Sequence, residues 1–461
     1  MIVMKFGGSS VESAAAIARV ASIVSTRIAR HPVVVVSAMG KTTNRLLAIA
    51  AAAVDGNRAG ALAQLEDLAN FTREEAAAAT GADPALLAEV EQHFDELRAL
   101  TSGLAVIGEM TPRSLDAVSA FGERLSSLIV AAAFRRAGTD AVHADARKYI
   151  VTDERHSQAA PLYAETYARL AELKNTPPGR VVVMGGFIGS TRAGVTSTLG
   201  RGGSDFSAAI VGAGVDADEI QIWTDVDGML TCDPRVTPGG HRVRAISFGE
   251  AAELAYFGAK VLHPSTVLPA IDKRIPVLIL NSRRPGVEGT RIVADTVPTS
   301  NVFKSIACKP NVTLVHIRST RMLGAHGFLR LIFEVFDRFE TSVDLIATSE
   351  ISVSLTIDNP ARLDGIAAEL REYSEVILQP GQAIVCLVGD EIGSTRGIAA
   401  RVFRALNGIN IRLISQGASN RNLSFVVNGA DLRPAVESLH NEFFSTLDPA
   451  VFDPASSDQA A

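Results

Sequence analysis

The sequence predicts an α/β protein: a layered sandwich around a mainly parallel sheet over residues 1–295, followed by a duplicated strand–helix–strand module. Two patterns predict this. In the first part, short β-branched runs alternate with longer segments of helical spacing. Beyond residue 300, the order of strand, glycine-opened helix and strand occurs twice. At 461 residues the chain exceeds one ordinary core, so two or three domains are expected.

Ile2, Val3 and Met4 begin an apolar run that ends in Gly7-Gly8. Residues 12–30 carry Ile17, Val20, Ile23, Val24 and Ile28 on one side of a helix. Residues 33–36 are all valine, as expected of a strand buried on both faces. Residues 60–100 are rich in Ala, Leu and Glu, which predicts a helical excursion. Residues 115–137 predict one further helix, stopped by Gly138. Residues 181–184 and 219–223 read as strands, each followed by a polar or glycine-rich loop. Open α/β sheets bind ligands beyond the carboxyl ends of their strands, and the candidate residues cluster there. Arg283-Arg284-Pro285-Gly286 marks an exit from this region. The first repeat then comprises 312–317, 327–336 and 342–346, and the second 383–388, 397–406 and 409–414. Residues 453–461 predict a disordered tail.

An apolar content of 47 % with 20 % charged residues fits a soluble globular protein, and a formal charge of −6 excludes a typical nucleic-acid binder. Met1 leads directly into a strand without a leader-like segment, and apolar runs such as 128–134 fall far short of the ~20 residues that span a bilayer. A cytoplasmic protein without membrane contact is expected. Cys232, Cys308 and Cys386 are too widely spaced for a disulfide framework or a Cys-x-x-Cys metal site, and read as reduced thiols.

The most telling stretch is Thr198-Leu199-Gly200-Arg201-Gly202-Gly203-Ser204-Asp205. Its glycines let backbone N–H groups surround an anion, Arg201 offers a fork for a carboxylate or phosphate, and Asp205 stands where a helix should begin. Lys5 lies at the end of a strand, ordinarily a surface position, but the following glycines permit close approach to phosphate. Thr224-Asp225-Val226-Asp227-Gly228 is an Asp-rich turn that can also hold a nucleotide or a hydrated Mg²⁺. Glu123, alone, reads as a solvated helix carboxylate, His263 as a capping or core imidazole, and Trp223 as core. Two patterns are decoys. Gly40-Lys41-Thr42 resembles the end of a phosphate-binding Walker loop, but Val35 occupies the required upstream glycine position. Gly212-x-Gly214-x-x-Ala217 follows a predicted helix, not a strand.

In order, Lys5-Phe6-Gly7-Gly8-Ser9-Ser10, Ser37-Ala38 with Thr43-Asn44, Gly186-Phe187-Ile188-Gly189, the loop 200–205, Thr224-Asp225, Asp233-Pro234-Arg235 and Lys260-Val261-Leu262-His263-Pro264 resemble the aspartokinases of the amino-acid kinase superfamily. The duplicated modules look like that family's two ACT domains, of ferredoxin-like βαββαβ order, so the resemblance spans almost the whole chain. It implies a kinase domain over 1–295, a first ACT domain over 312–382, and a second over 301–311 plus 383–452, with 305–309 lending a strand. Ser342-Val343-Asp344-Leu345-Ile346 with Thr348-Ser349-Glu350 resembles the lysine-sensitive, single-chain type.

The resemblance implies transfer of the ATP γ-phosphoryl group to the β-carboxylate of L-aspartate, giving 4-phospho-L-aspartate, the first step toward lysine, threonine and methionine. A carboxylate of pKa ~4 is ionised at neutral pH and needs no base; the difficulty is to bring two anions together. By resemblance Lys5 and Lys260, with Mg²⁺, stabilise the moving phosphoryl group, and Asp205 orients the lysines. Arg201 grips the α-carboxylate and Glu123 the α-ammonium of aspartate, with Thr43, Phe187, Gly202, Gly203 and Ser204 as further contacts. Lys5, Phe6, Gly7, Gly8, Thr224, Asp225, Leu230, Arg235, Lys260 and Val261 carry over to the nucleotide. Met322, Ala325, Phe328, Leu329, Ser342, Val343, Asp344, Ser349 and Glu350 carry over to a lysine effector site, in a homodimer or dimer of dimers formed through the ACT domains. Ala325 stands where relatives often have a hydroxyl, and Leu230 where many have Tyr. The alternatives are a kinase for glutamate or acetylglutamate, a non-catalytic amino-acid sensor, and a bifunctional enzyme with homoserine dehydrogenase. The paired modules and the Asp-rich turn favour aspartate, Lys5, Asp205 and Lys260 together favour catalysis, and the chain leaves no room for a nicotinamide-binding domain.

Overall fold

The computed structural model describes residues 1–258, 264–319 and 327–453. Its chain divides into two compact units, one made of Met1–Gly228 with Val261–Asp295 and the other of Met229–Lys260 with Thr296–Ala461. The second unit thus takes in a segment, Met229–Lys260, that lies within the 1–295 range expected for the first domain.

In the first unit the strands run in the order Ala141–Ala144, Val181–Gly185, Pro32–Val36, Ile2–Phe6, Glu219–Thr224, Val277–Asn281 and Thr290–Val293. All neighbours are parallel except the last pair, which is antiparallel. Ile2–Phe6, Pro32–Val36 and Val181–Gly185 are buried at every position, which is why they read as unbroken apolar runs. Phe6 lies in register with Val36 on one side and Trp223 on the other, and Val36 with Gly185. Four strands therefore end at one level, and the loops after them meet there. Trp223 is core, stacked on Phe6 with ring centroids 5.8 Å apart.

The expected helix over 115–137 is two helices, Pro112–Ser119 and Phe121–Arg136, meeting at Ala120. Together they form a stretch as long and apolar as a membrane span, in contrast to the short runs seen by eye, but 89 % of its most apolar window is buried inside the unit. A helix apolar all round is what a core helix between packed layers requires. The helical excursion consists of Arg58–Thr80 and Pro84–Ile107, laced together by Arg73 and Arg98 with Glu66 and Glu91. Gly212, part of a decoy, is small for packing reasons: a Cβ there would lie 2.6 Å from Ile220 Cδ1.

In the second unit, six antiparallel strands run in the order Ile346–Thr348, Ser352–Ile357, Phe303–Arg318, Glu375–Gly389, Asn422–Asn428 and Ile411–Gln416. Helices Phe328–Arg338, Leu363–Leu370, Ile398–Ala405 and Leu432–Phe444 complete two βαββαβ modules. The modules are not separate sheets. The two longest strands cross both, with register shifts near Lys309 and Val312 marking the boundary. Residues 303–309 pair with 384–389, closing the second module with a strand that precedes the first. Residues 342–345 form no strand, contrary to the expectation for 342–346; the short edge strand is Ile346–Thr348. Asp453, the first residue of the expected tail, pairs through its carboxylate with Arg242 and Arg244. Residues 454–461 lie outside the described residues.

Candidate active site

A cavity of about 380 Å³ opens where the strand ends converge. Lys5, Gly8, Thr43, Glu123, Phe187, Arg201, Gly202, Gly203, Ser204 and Asp205, all singled out from sequence, line it. Close approach explains the glycines between them. A Cβ on Gly186 would lie 2.8 Å from Ser204 Cβ, and one on Gly122 2.7 Å from Ala38 Cβ.

Lys5 is the penultimate residue of its strand, 9 % exposed, and its Nζ lies 2.7 Å from Asp205 Oδ1. Asp205 occupies the first turn of the helix Gly203–Gly214, whose N-cap is Gly202 at φ +70°. The first turn of that helix lines the cavity, so its positive dipole end lies there, where an anion would be favoured. Arg201 is exposed on the preceding loop and has no ion-pair partner among the described residues. Phe187 adopts φ +64°, unfavourable for a bulky side chain. It is held there by its N–H donating to Ser207 Oγ at 2.9 Å and its carbonyl accepting from Leu199 N–H at 2.9 Å.

Glu123 differs most from its sequence reading. It is not a solvated carboxylate but 4 % exposed, with Oε1 accepting from Ala38 N–H at 3.1 Å and Oε2 without any partner. Burial pushes its carboxyl up to about 8, against the opposing pull of the Ala38 N–H and the Lys5 ammonium. A buried, half-satisfied carboxyl facing a cavity favours a ligand that brings a cation.

Sequence reasoning omitted Ser37, Ala38, Gly40 and Gly200 from the contact set, yet all four line the cavity. Gly40 had been set aside with its decoy; its N–H donates to Gly8 O at 3.1 Å and ties two loops together. The available signal was position, since residues 37–40 follow a buried strand at the level of Gly7 and Gly8. Of the expected nucleotide contacts, Phe6 turns its side chain into the core and leaves only backbone for a ligand. Gly7 N–H donates to Trp223 O at 3.2 Å. Thr224 and Asp225 end the strand beside Lys5 and stay partly or fully exposed. Leu230 and Arg235 belong to the C-terminal unit, where Arg235 is held by Asp233 at 2.6 Å. Lys260, Val261 and His263 lie outside the described residues.

The expected effector positions fall in the C-terminal unit, with Met322 and Ala325 outside the described residues. Phe328 and Leu329 open the helix Phe328–Arg338, and Leu329 is exposed. Ser342 is exposed, and Val343 packs against the module core. Asp344 is the charged centre of this group: Lys309 Nζ lies 2.6 Å from its Oδ1, while Oδ2 is buried and unpartnered. Burial raises its carboxyl above the usual range, with Lys309 opposing. Ser349 Oγ lies 2.7 Å from Ser352 Oγ, and Glu350 is exposed.

Residues 1–281 match the amino acid kinase family and residues 385–443 an ACT domain. The chain is 40 % identical to aspartokinase 1, chloroplastic, of Arabidopsis thaliana over 97 % of its own length and 80 % of the relative's. It is 36 % identical to lysine-sensitive aspartokinase 3 of Escherichia coli K12, covering 96 % of this chain and 99 % of that one. The chain belongs to the aspartokinase family. Among solved structures, E. coli aspartokinase III in complex with aspartate and ADP superposes with a TM-score of 0.80 at 36 % identity, covering 96 % of this chain and all of that one. The same aspartokinase with lysine and aspartate gives 0.82 at 34 % identity, covering 96 % and 99 %.

Proposed function

We infer that the chain is an aspartate kinase: it transfers the γ-phosphoryl group of ATP to the β-carboxylate of L-aspartate, giving 4-phospho-L-aspartate, at the head of lysine, threonine and methionine biosynthesis. A carboxylate oxygen attacks phosphorus, the bond to ADP breaks, and no proton need move. The observation that carries the site assignment is one cavity holding three complementary groups: the paired Lys5 ammonium, the unengaged Arg201 and the buried Glu123. An α-amino dicarboxylate needs these three charges for its phosphoryl acceptor end, its α-carboxylate and its α-ammonium respectively.

Lys5 follows the charge on the transferred group, and Asp205, an anion, acts by fixing the Lys5 rotamer. The resemblance adds Lys260 as a second ammonium, with Val261, Thr224, Asp225, Leu230 and Arg235 on the nucleotide. Mg²⁺ belongs to the proposal as part of MgATP. Asp205 is engaged by Lys5, so in this proposal the metal would be held chiefly by phosphate oxygens and water. Bound so, it supplies charge neutralisation on the phosphates. A coupled assay of ADP release with aspartate, glutamate and acetylglutamate tests the reaction; turnover with aspartate alone supports it, and turnover only with another acceptor refutes it.

Arg201→Lys is expected to raise KM for aspartate at least tenfold while leaving KM for ATP within about twofold, because an ammonium cannot reproduce the two-pronged grip. Equal loss for both ligands would remove Arg201 from the α-carboxylate.

The module boundaries proposed are 312–382 and 301–311 plus 383–452. The wider proposal is a cytoplasmic enzyme, a homodimer or dimer of dimers through these modules, inhibited by lysine bound near Asp344. Ala325 in place of a hydroxyl is expected to weaken the effector by about one hydrogen bond, ~1 kcal/mol. Added lysine should lower activity and raise Tm together. A titration that moves neither quantity contradicts lysine as effector.

A further inference from the structure

We propose that Asp116 is a positioning residue for aspartate recognition, bracing from behind the loop that presents Arg201. It lies in the helix Pro112–Ser119 and is 1 % exposed, a carboxylate withdrawn from both solvent and cavity. A buried carboxylate persists only where donors surround it, and here three converge. Thr198 Oγ1 donates to Oδ1 at 2.5 Å, Ser157 N–H reaches both oxygens at 3.0 Å, and His156 Nδ1 lies 2.8 Å from Oδ2.

These donors belong to two segments that meet at the arginine loop. Thr198 ends the short strand Thr196–Thr198, and Gly200-Arg201 follows after Leu199. Ser157, held at φ +69°, presents its carbonyl to Gly200, where a Cβ would come within 3.2 Å. Ala159 N–H also donates to Thr198 O at 2.9 Å, so backbone and carboxylate clip the same two segments together. Gly200 turns at φ +77° against this brace, and Arg201 emerges next. The helix after Ala120 carries Glu123. One helical stretch thus supplies the carboxyl that faces the cavity and, a turn or two earlier, the carboxylate that steadies the opposite guanidinium.

The inference rests on Arg201 taking the α-carboxylate, and the test separates the two. Asp116→Asn keeps the shape but sets an NH₂ donor against a donor. It is expected to raise KM for aspartate at least tenfold, with KM for ATP within about twofold and kcat within about threefold. Thr198→Val removes one donor without touching Asp116 and should raise KM for aspartate severalfold, while Thr198→Ser, which restores the hydroxyl, should return it to near the native value. In an Arg201→Ala background, Asp116→Asn should add less than twofold, because the brace then has nothing to position. If Arg201→Ala raises KM for aspartate but Asp116→Asn and Thr198→Val do not, the brace is refuted and the clamp stands. If Arg201→Ala itself leaves KM for aspartate unchanged, the clamp reading fails first. Parallel loss of aspartate KM, ATP KM and kcat in Thr198→Val would mark a merely structural carboxylate and overturn the proposal.

Discussion

Asp205→Ala yields a folded chain whose kcat falls by about 10²–10³-fold, the loss typical of removing one preorganised electrostatic group. The carboxylate stands 2.7 Å from Lys5 Nζ, and the two side chains keep only 18 % and 11 % of their exposure. So placed, the pair is poorly screened, and the carboxylate decides where the ammonium rests. Without it, the mostly buried Lys5 ammonium is left with no counter-charge and relaxes away from the phosphoryl path. The fold tolerates the change, because Asp205 contributes to its helix only as a first-turn anion, worth ~0.3–1 kcal/mol. Measured at saturating ATP and aspartate, with Tm as the control for folding, near-native kcat in a folded variant would take Asp205 out of the machinery.

The second large effect is a pH dependence of aspartate binding that originates in Glu123. Its carboxyl, pushed up to about 8 by burial, is protonated in the unliganded chain at neutral pH. Pairing with an α-ammonium requires the ionised form, so binding at pH 7 expels a proton. Affinity for aspartate should climb about tenfold per pH unit below about 8 and level off above it. Calorimetry in buffers of different ionisation enthalpy should register close to one proton released at pH 7. Glu123→Gln should bind weakly and lose the slope. A flat pH profile in the native chain, with no proton released, would mean that Glu123 does not meet the ammonium. The same shift acts on stability in the opposite sense to a salt-bridged acid. A folded-state value raised above the ordinary 4.5 means that the unfolded chain ionises first. The contribution of Glu123 is therefore intact below about 4.5, erodes by up to ~1.4 kcal/mol per unit as pH rises toward 8, and is constant beyond.

Much of this architecture was legible in the chain. The valines of 33–36 read as a strand covered on both faces, and Gly8, Gly186, Gly200 and Gly203 stand where neighbouring atoms crowd. The loop after Thr198 predicted a helix start at the right place, at Gly203. What failed did so for physical reasons. Phe6 sits inside a binding motif, yet its alternation along the strand turns it toward Trp223. Gly40 was dismissed because its local pattern was incomplete, whereas its contribution is a hydrogen bond to another loop. Over 342–346 the apolar alternation buries Leu345 and packs Val343 against the module core, but the backbone meets the neighbouring strand only at Thr356, through Asp344 N–H and Leu345 O, so regular pairing begins at Ile346.

The sequence by itself determined the order of strands and helices, the repeated module and the loops that meet at the strand ends. Those properties follow from periodicity, β-branching and glycine placement, which act over a few neighbouring residues. Only the tertiary structure decided the protonation of Glu123, the pairing of Lys5 with Asp205 and the bracing by Asp116. Charge is set by what surrounds a group and how far water is excluded, and the donors that meet Asp116 include one 82 residues away in the chain. No local pattern encodes such a meeting; the packed sheet and its buried helices create it.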